Sequence, residues 1–580
     1  MPTSHTYELA LLALAGILCA GPPALAQHMG VSAPKDHAYT PAAVDDQEAH
    51  RWRQDLAYLA RELPSRHKNA FHRISREDWA AAVEGLDARI PELATHQIIV
   101  ELARLVAKIG DGHTSMPIFF DPAVGFHTLP LRLGFYREGL FVEAADRSYE
   151  SAVGGRITSI GGVPVAEAVR RISTIISHES ERWVLAVAPQ LLIRTEVLHA
   201  LGLSDRIDGA RLRLEKDGSS QVLVVDALPA PPEVGFGIPF MQELTDDWVD
   251  ARDVASTPAP LWLSRPGVTY WFEYLREPRL LYIQFNQHRD DPSGESVQEF
   301  FERAFRFLDE HPVEKLVLDI RNNTGGEGFM NRQIVRGIIR SRKIDRPGKL
   351  FVIIGRRTFS AAQLLVNDLE RWTRAIFVGE PSGATPNLYG NHEFLRLPNS
   401  GLTVAVAPQW FQTADPWDTR PWTAPLIAAV PEFRAYRENR DPAVEAILSY
   451  DERPTLAESL DDPLAADDLD EVRRRIADFD ADPVNEYRST AAAVNAAGYQ
   501  LLRSGRLNDA LTLFRLNVDL HPDYANGWDS LGEAYAALGQ RQRAMASYER
   551  ALSIDPGFQH AAEMLRRLRA AAAADTARGR

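Results

Sequence analysis

Leu350-Phe351-Val352-Ile353-Ile354-Gly355-Arg356-Arg357-Thr358-Phe359-Ser360-Ala361-Ala362-Gln363 decides the fold. Its first five residues are an apolar run of a length that suits a strand buried on both faces, and Gly355 ends it. Beyond the turn, Leu364, Leu365, Leu369 and Trp372 recur at helical spacing. Ser360 is therefore expected at or just before the first turn of a helix. Free backbone N–H groups and the positive end of the helix dipole favour developing negative charge there. A hydroxyl at that point can be a nucleophile beside an oxyanion site. It can equally be an N-cap, as serine commonly is. The segment alone leaves both readings open.

Two further segments bear on the choice. Leu316-Val317-Leu318-Asp319-Ile320-Arg321-Asn322-Asn323-Thr324-Gly325-Gly326 is a second buried strand that runs into a polar, glycine-rich turn. Glycines there either meet a turn's need for positive φ or let backbone N–H groups approach a ligand. Two such strand–turn units predict a crossover sheet with both turns at its ligand-binding edge. The third segment, Gly110-Asp111-Gly112-His113-Thr114-Ser115, follows an amphipathic helix carrying Ile98, Ile99, Leu102, Leu105, Val106 and Ile109. Gly110 is expected to end that helix and hold His113 on a stiff turn. A lone histidine is more often structural. Here it becomes a candidate general base because a candidate nucleophile exists elsewhere.

These segments, together with Val378-Gly379-Glu380-Pro381-Ser382-Gly383, Leu397-Pro398-Asn399-Ser400-Gly401-Leu402 and Arg440-Asp441-Pro442-Ala443, resemble the tail-specific (C-terminal-processing) serine peptidase family. The likeness covers roughly residues 50 to 450, with the motifs in the family's order. It implies an α/β fold: a crotonase/ClpP-like catalytic core, an N-terminal helical region and a PDZ-like β-rich module ahead of that core. It also implies a serine-type peptidase with Ser360 as nucleophile. The Ala361 N–H and one from Gly325 or Gly326 would form the oxyanion hole. Many relatives use a serine–lysine dyad, but no lysine follows Lys349 in this chain. The resemblance to the tricorn-like branch instead implies His113 as base and a late acidic residue as orienter. Asp418 is the candidate for that third role, and an ion pair with Arg420 is the competing reading. Gln363 departs from the acidic residue that the family often carries three positions after the serine.

Composition fits an exported multidomain hydrolase. The chain has 580 residues, 25% of them charged, and a formal net charge of −15. That balance argues against a nucleic-acid partner, because no basic stripe stands out to displace counterions. Leu9 to Ala20 is apolar and leads to Ala24-Leu25-Ala26, so residues 1–26 are expected to be a cleaved signal peptide and the mature protein periplasmic or secreted. Its first residues carry no lysine or arginine, which departs from the usual pattern. Cys19, the only cysteine, lies inside that signal. After cleavage no run reaches the length of a membrane span. No metal-ligand spacing or phosphate loop is present, so no metal or cofactor is expected.

The remaining boundaries follow from composition and periodicity. A linker is expected over 27–46 and the helical region over 47–127, ending in the His113 turn. The PDZ-like module spans 128–228, with Gly154-Gly155-Arg156-Ile157-Thr158-Ser159-Ile160-Gly161-Gly162 as its signature and a helical insertion near 166–203. That insertion leaves two readings, peptide capture by strand addition and a lid over the cleft. A connector rich in proline, glycine and acids, with Phe236 and Phe240, spans 229–267. The catalytic core spans 268–450 and an acidic linker 451–483. Over 484–572, Gly498 and Gly532, Gly505 and Gly539, Ala510 and Ala544, Phe514 and Tyr548, and Pro522 and Pro556 repeat with the 34-residue period of tetratricopeptide repeats. Those repeats are either a passive appendage or a docking surface for a protein partner. Three functions follow: a peptidase acting on peptide or protein substrates, an ester or amide hydrolase of the same fold, or a catalytically silent binding protein.

Overall fold

The computed structural model describes residues 39–118, 121, 123–229, 244–451 and 454–578. The expected signal peptide with Cys19, most of the 27–46 linker, and Phe236 and Phe240 lie outside the described residues. The chain divides into two compact units, Met1–Thr423 with Ala429–Leu448, and Ala424–Ala428 with Ser449–Arg580.

The first unit opens with helices Asp46–Arg66, Arg76–Arg89 and Thr95–Ala107, each turning an apolar face inward. An antiparallel sheet follows. Its strands β1 (Leu131–Tyr136), β2 (Gly139–Asp146), β3 (Arg156–Ile160), β5 (Gly209–Lys216) and β6 (Ser219–Asp226) are neighbours in that order. The short β4 (Val163–Pro164) pairs with β3, and β7 (Trp248–Asp250) pairs with β2. β7 lies within the stretch expected to be a connector; three residues in register with β2 make it part of the sheet. The helical insertion between β4 and β5 consists of helices Val165–Ser173, Glu181–Leu191 and Thr195–Ala200.

A second sheet carries the two apolar strands that precede Ser360 and the glycine-rich turn. Its strands β8 (Tyr270–Leu275), β9 (Leu280–Phe285), β10 (Lys315–Asp319), β11 (Leu350–Ile354) and β12 (Ile376–Gly379) run in spatial order β12-β11-β10-β9-β8. β9 to β12 are parallel and β8 is antiparallel to β9. The crossovers are the helices Val297–Glu310, Asn331–Arg340 and Ala361–Trp372. β9 and β11 are buried at every position; β11 accordingly reads as an unbroken apolar run, while β9 carries one polar residue, Gln284, whose amide is hydrogen-bonded to Asn286. At the C-terminal edge Arg321 pairs with Asp319 and forks onto both carboxylate oxygens of Asp441 at 3.0 and 2.7 Å. That fork ties the β10 turn to the end of the unit.

The second unit is helical. Phe514 and Tyr548 are fully buried against Gly498 and Gly532, where any side chain would collide with their rings. The stretch expected to be an acidic linker is instead two helices, Leu456–Ala465 and Leu469–Ala481. Leu456, Leu460, Leu464, Val472 and Ile476 sit in the same apolar core as the repeats. Of the acids that suggested a linker, Asp461 and Asp462 are exposed on the first helix, as on any amphipathic helix, and Asp467 and Asp468 lie in the turn between the two, Asp468 as N-cap of the second.

Candidate active site

Ser360 sits between β11 and the Ala361–Trp372 helix with φ 54° and ψ −126°. An ordinary N-cap residue has extended backbone and its side chain accepts from the first turn. Ser360 does neither: its hydroxyl makes no capping bond, and positive φ in a residue bearing a side chain is strained. The strain is held by stitching to the neighbouring turn. Thr358 Oγ1 donates to the Ile320 carbonyl at 2.9 Å and accepts from the Gly355 amide at 3.0 Å. The Phe359 amide donates to the Asn323 carbonyl at 3.1 Å.

His113 Nε2 lies 2.8 Å from Ser360 Oγ. Two residues of the same turn fix it. Asp111 Oδ1 accepts from the His113 and Thr114 amides at 3.0 and 2.7 Å. Asp111 Oδ2 meets His67 Nε2 at 3.0 Å, and His67 Nδ1 accepts from the Asn69 amide, so His67 is the donor to Asp111. Burial works to raise the Asp111 carboxyl, but the hydrogen bonds from His67 and the Thr114 amide oppose it, and the carboxyl is held below its ordinary value. Farther along, Ser115 pairs with Ala405 in both directions, which anchors the turn to the Thr403–Val406 strand.

The His113 ring is 1% exposed. Burial, and secondarily the neighbouring His392, depress its basicity to about 3, with Asp111 opposing. Its Nδ1 has no hydrogen-bond partner among the described residues. Phe359 stacks on it at 4.6 Å, and Trp183 stacks on the other face of Phe359 at 4.1 Å. Glu179 precedes the Trp183 helix, and its Oε2 accepts from the Gly112 amide. Burial first, then the Asp111 charge, push the Glu179 carboxyl up to about 8. The insertion between β4 and β5 thus reaches the His113 turn with Glu179, and Phe359 with Trp183.

The two glycines expected at the oxyanion site differ. The Gly325 amide donates to Asn323 Oδ1 at 2.9 Å. The Gly326 and Ala361 amides make no hydrogen bond to another described residue. Gly325 has φ 103°, and a Cβ on it would lie 2.6 Å from Ser360 Cβ, so only glycine fits beside that serine. Behind this turn, His288 bonds Asn323 Oδ1 and Asn331 Oδ1, while Asn331 Nδ2 donates to the Ala361 carbonyl. A cleft of about 890 Å³ opens over Ser360, His113, Gly325 and Gly326. Ile175, Ile176, Trp183 and Val187 of the insertion wall one side.

Asp418 is not brought to His113. Its carboxylate is taken by Arg420, with bonds of 2.7 to 3.1 Å, and Arg420 also forks onto Glu370. That hydrogen bond and charge outweigh burial and keep the Asp418 carboxyl low. Gln363 is fully buried and donates to Asn367 and Thr423. Its place in the helix gives it a structural amide network. Asp111, Glu179, Asn323 and Trp183 carried no role in the sequence reading. Of these, Asp111 and Asn323 had a local signal, an Asp or Asn two residues before an amide it can accept from.

A tetratricopeptide repeat family model matches residues 525–558. A solved structure of a CPAF mutant superposes with a TM-score of 0.51 at 13% identity, over 70% of this chain and 100% of that one. The photosystem II D1 C-terminal processing protease aligns over 65% of this chain and 92% of its own, at 15% identity and a TM-score of 0.33. Among curated proteins, the Hsp70-Hsp90 organizing protein of Triticum aestivum is 43% identical over 51 residues, 9% of each chain. The chain therefore spans less than a tenth of that relative's length. The fold is that of CPAF, followed by a tetratricopeptide repeat.

Proposed function

We propose that the chain is a serine-type peptidase in which Ser360 attacks a peptide carbonyl with His113 as general base. The observation that carries the reading is the 2.8 Å approach of His113 Nε2 to the hydroxyl of a serine held at positive φ. In the productive tautomer the His113 proton resides on Nδ1, leaving Nε2 free to accept. As Oγ bonds to the carbonyl carbon, its proton passes to Nε2 and the carbonyl π electrons move to oxygen. The Ala361 and Gly326 amides are the free donors available to that oxyanion, and one such donor typically stabilises the transition state by about 3–4 kcal/mol. His113 then returns the proton to the leaving amine, and water repeats the sequence on the acyl-enzyme. Asp111 and the forming oxyanion offset the weak basicity that burial imposes on His113.

The parallel sheet with its crossovers supports the crotonase/ClpP-like reading of the core. The antiparallel sheet over 131–226 supports the PDZ-like one. The repeats are proposed to dock a protein partner. Export is proposed on the character of residues 1–26, and no helix among the described residues is long and apolar enough to cross a membrane.

The test is fluorophosphonate labelling of the full mature chain with peptide mapping, alongside Ser360→Ala and His113→Ala. Modification at Ser360 that disappears in both variants supports the mechanism. A folded protein that takes no label sinks it.

A further inference from the structure

The formal charge of the whole chain conceals a strongly basic segment. Residues 331–349 contain seven lysines and arginines against one carboxylate, Asp345, in a chain of net charge −15. The helix Asn331–Arg340 has no acidic residue at all, and Arg332, Arg336 and Arg340 recur on it every fourth position. That spacing puts three guanidinium groups on one face, about 6 Å apart along the axis. All three are exposed, and none makes an ion pair or hydrogen bond to another described residue. Elsewhere in the chain arginines are commonly paired, as Arg321, Arg420 and Arg132 are.

These three arginines line a groove of about 750 Å³ between their helix and Val297–Glu310. The helices close on each other where Gly337 faces the Phe305 ring, leaving no room for a side chain at 337. The other wall carries Arg306, which is also unpaired among the described residues, together with Glu302, Asp309 and Glu310. Carboxylates of a ligand are therefore drawn to the Asn331–Arg340 side. Phe329 joins this groove to the catalytic cleft: it lines both and is 75% exposed. The cleft over Ser360 and the groove that holds the arginine row are therefore neighbours at Phe329. In an extended strand, side chains on one face repeat every 6 to 7 Å or so, close to the spacing of the guanidinium groups.

We propose that this groove is an exosite for an acidic, extended segment of the polypeptide substrate, remote from the scissile bond. The assignment rests on Ser360 being the peptidase nucleophile, because the cleft supplies the continuity that selects a peptide over other polyanions. Exposed charge pairs contribute modestly one by one and are screened by salt, so the row acts as a unit that steers and holds the substrate.

The experiment measures binding and hydrolysis separately on the full chain. Fluorescence anisotropy compares a labelled decapeptide alternating glutamate and serine with its glutamine counterpart and with a ten-nucleotide oligothymidylate. The proteins are wild type, Ser360→Ala, and the triple variant Arg332→Gln, Arg336→Gln, Arg340→Gln, with circular dichroism and thermal midpoint checking the fold. The acidic peptide is expected to bind wild type and Ser360→Ala at least about tenfold more tightly than the glutamine peptide at low salt. The triple variant is expected to lose that margin. An unchanged margin in the triple variant overturns the proposal. So does oligothymidylate binding through the same arginines more tightly than the peptide, which would make the row a nucleic-acid surface. In the hydrolysis arm, a cleavable peptide with an acidic tail should show a lower KM than its glutamine-tailed twin, and only with the arginines present. Acidic-peptide binding without hydrolysis of any peptide would remove the Ser360 reading and leave the anion site. Hydrolysis without acidic preference would remove the exosite alone.

Discussion

His113 and Ser360 lie 247 positions apart in sequence, and their side chains meet at 2.8 Å. Neither is placed by its own rotamer preferences. The serine is fixed by a strained turn between β11 and its helix, and the histidine by a turn whose amides converge on Asp111. The pair is as rigid as those two turns, and its consequences can be measured one residue at a time.

Ser360→Ala and His113→Ala should each lower kcat/KM by about 10⁴-fold or more, and the double variant should be little worse than either single one. Steady-state kinetics on a fluorogenic peptide checks this. Additive losses in the double variant would mean that the two do not act as a unit.

Gly325→Ala should reduce kcat/KM by at least about 100-fold, the scale of a lost oxyanion donor, because its methyl group would press on Ser360 Cβ. Gly85→Ala is the matched control. Its added methyl meets nothing within 4 Å, and it lies inside the Arg76–Arg89 helix, where alanine is favoured over glycine. That variant should keep full activity and gain slightly in thermal midpoint.

Asp418→Ala should leave kcat within about threefold of wild type, since its carboxylate serves Arg420 at a partly exposed site. Asp111→Ala should be severe in both stability and kcat. It strips the acceptor from two backbone amides and from His67 in a buried turn, where an unmade hydrogen bond typically costs about 1–3 kcal/mol. Urea unfolding with parallel kinetics separates the two effects, and a large kcat loss in Asp418→Ala would restore it as an orienting residue.

The pH profile should show Glu179. His113 stays neutral down to about pH 3, so protonation of the base should not limit kcat/KM through the mildly acidic range. Glu179 loses its proton near pH 8, and the new charge beside the Gly112–His113 turn favours the imidazolium that forms in the reaction. kcat/KM should therefore rise through pH 8 in wild type and stay flat in Glu179→Gln. A rise that persists in the variant would assign the titration to another group.

Acid stability follows from three buried histidines. His96, His113 and His288 are depressed to about 4, 3 and 4, chiefly by burial. The folded chain keeps them neutral, while the unfolded chain takes up protons below its ordinary histidine value of about 6.5. Their contribution is complete above that pH. It is lost as pH falls toward the folded values, each histidine giving up about 1.4 kcal/mol for every pH unit crossed. Urea midpoints of the first unit, followed by tryptophan fluorescence, should drop steadily from pH 6.5 to 4. His288→Gln should flatten part of that drop.

The places of Ser360 and His113 were legible because each stands in a short segment whose apolar spacing announces a strand–turn–helix or helix–turn boundary. The repeats were legible for a related reason: Gly532 and Tyr548 recur at a fixed offset from Gly498 and Phe514. Contacts that bridge distant segments left no such mark. Nothing around Glu179 or Trp183 signals that they reach the Gly112 turn and Phe359, because only the folded insertion brings them there. The acidic stretch after residue 451 misled for a different reason. Its charges masked Leu460, Leu464, Val472 and Ile476, which are spaced for a helix face and buried. Asp418 was picked by its place in the chain, and Arg420 two residues on was the nearer and better partner.

The Phe359 ring lies between His113 and Trp183 like a card between two others. One of those neighbours belongs to the catalytic turn and the other to the helix inserted in the antiparallel sheet. The insertion is therefore not an ornament that could be pruned to obtain a smaller enzyme. A minimal version cut back to the bare sheet would lose the outer card, let solvent onto the ring and loosen the imidazole behind it. By the same token, anything that shifts the Glu181–Leu191 helix acts as a dimmer on the serine, without touching it.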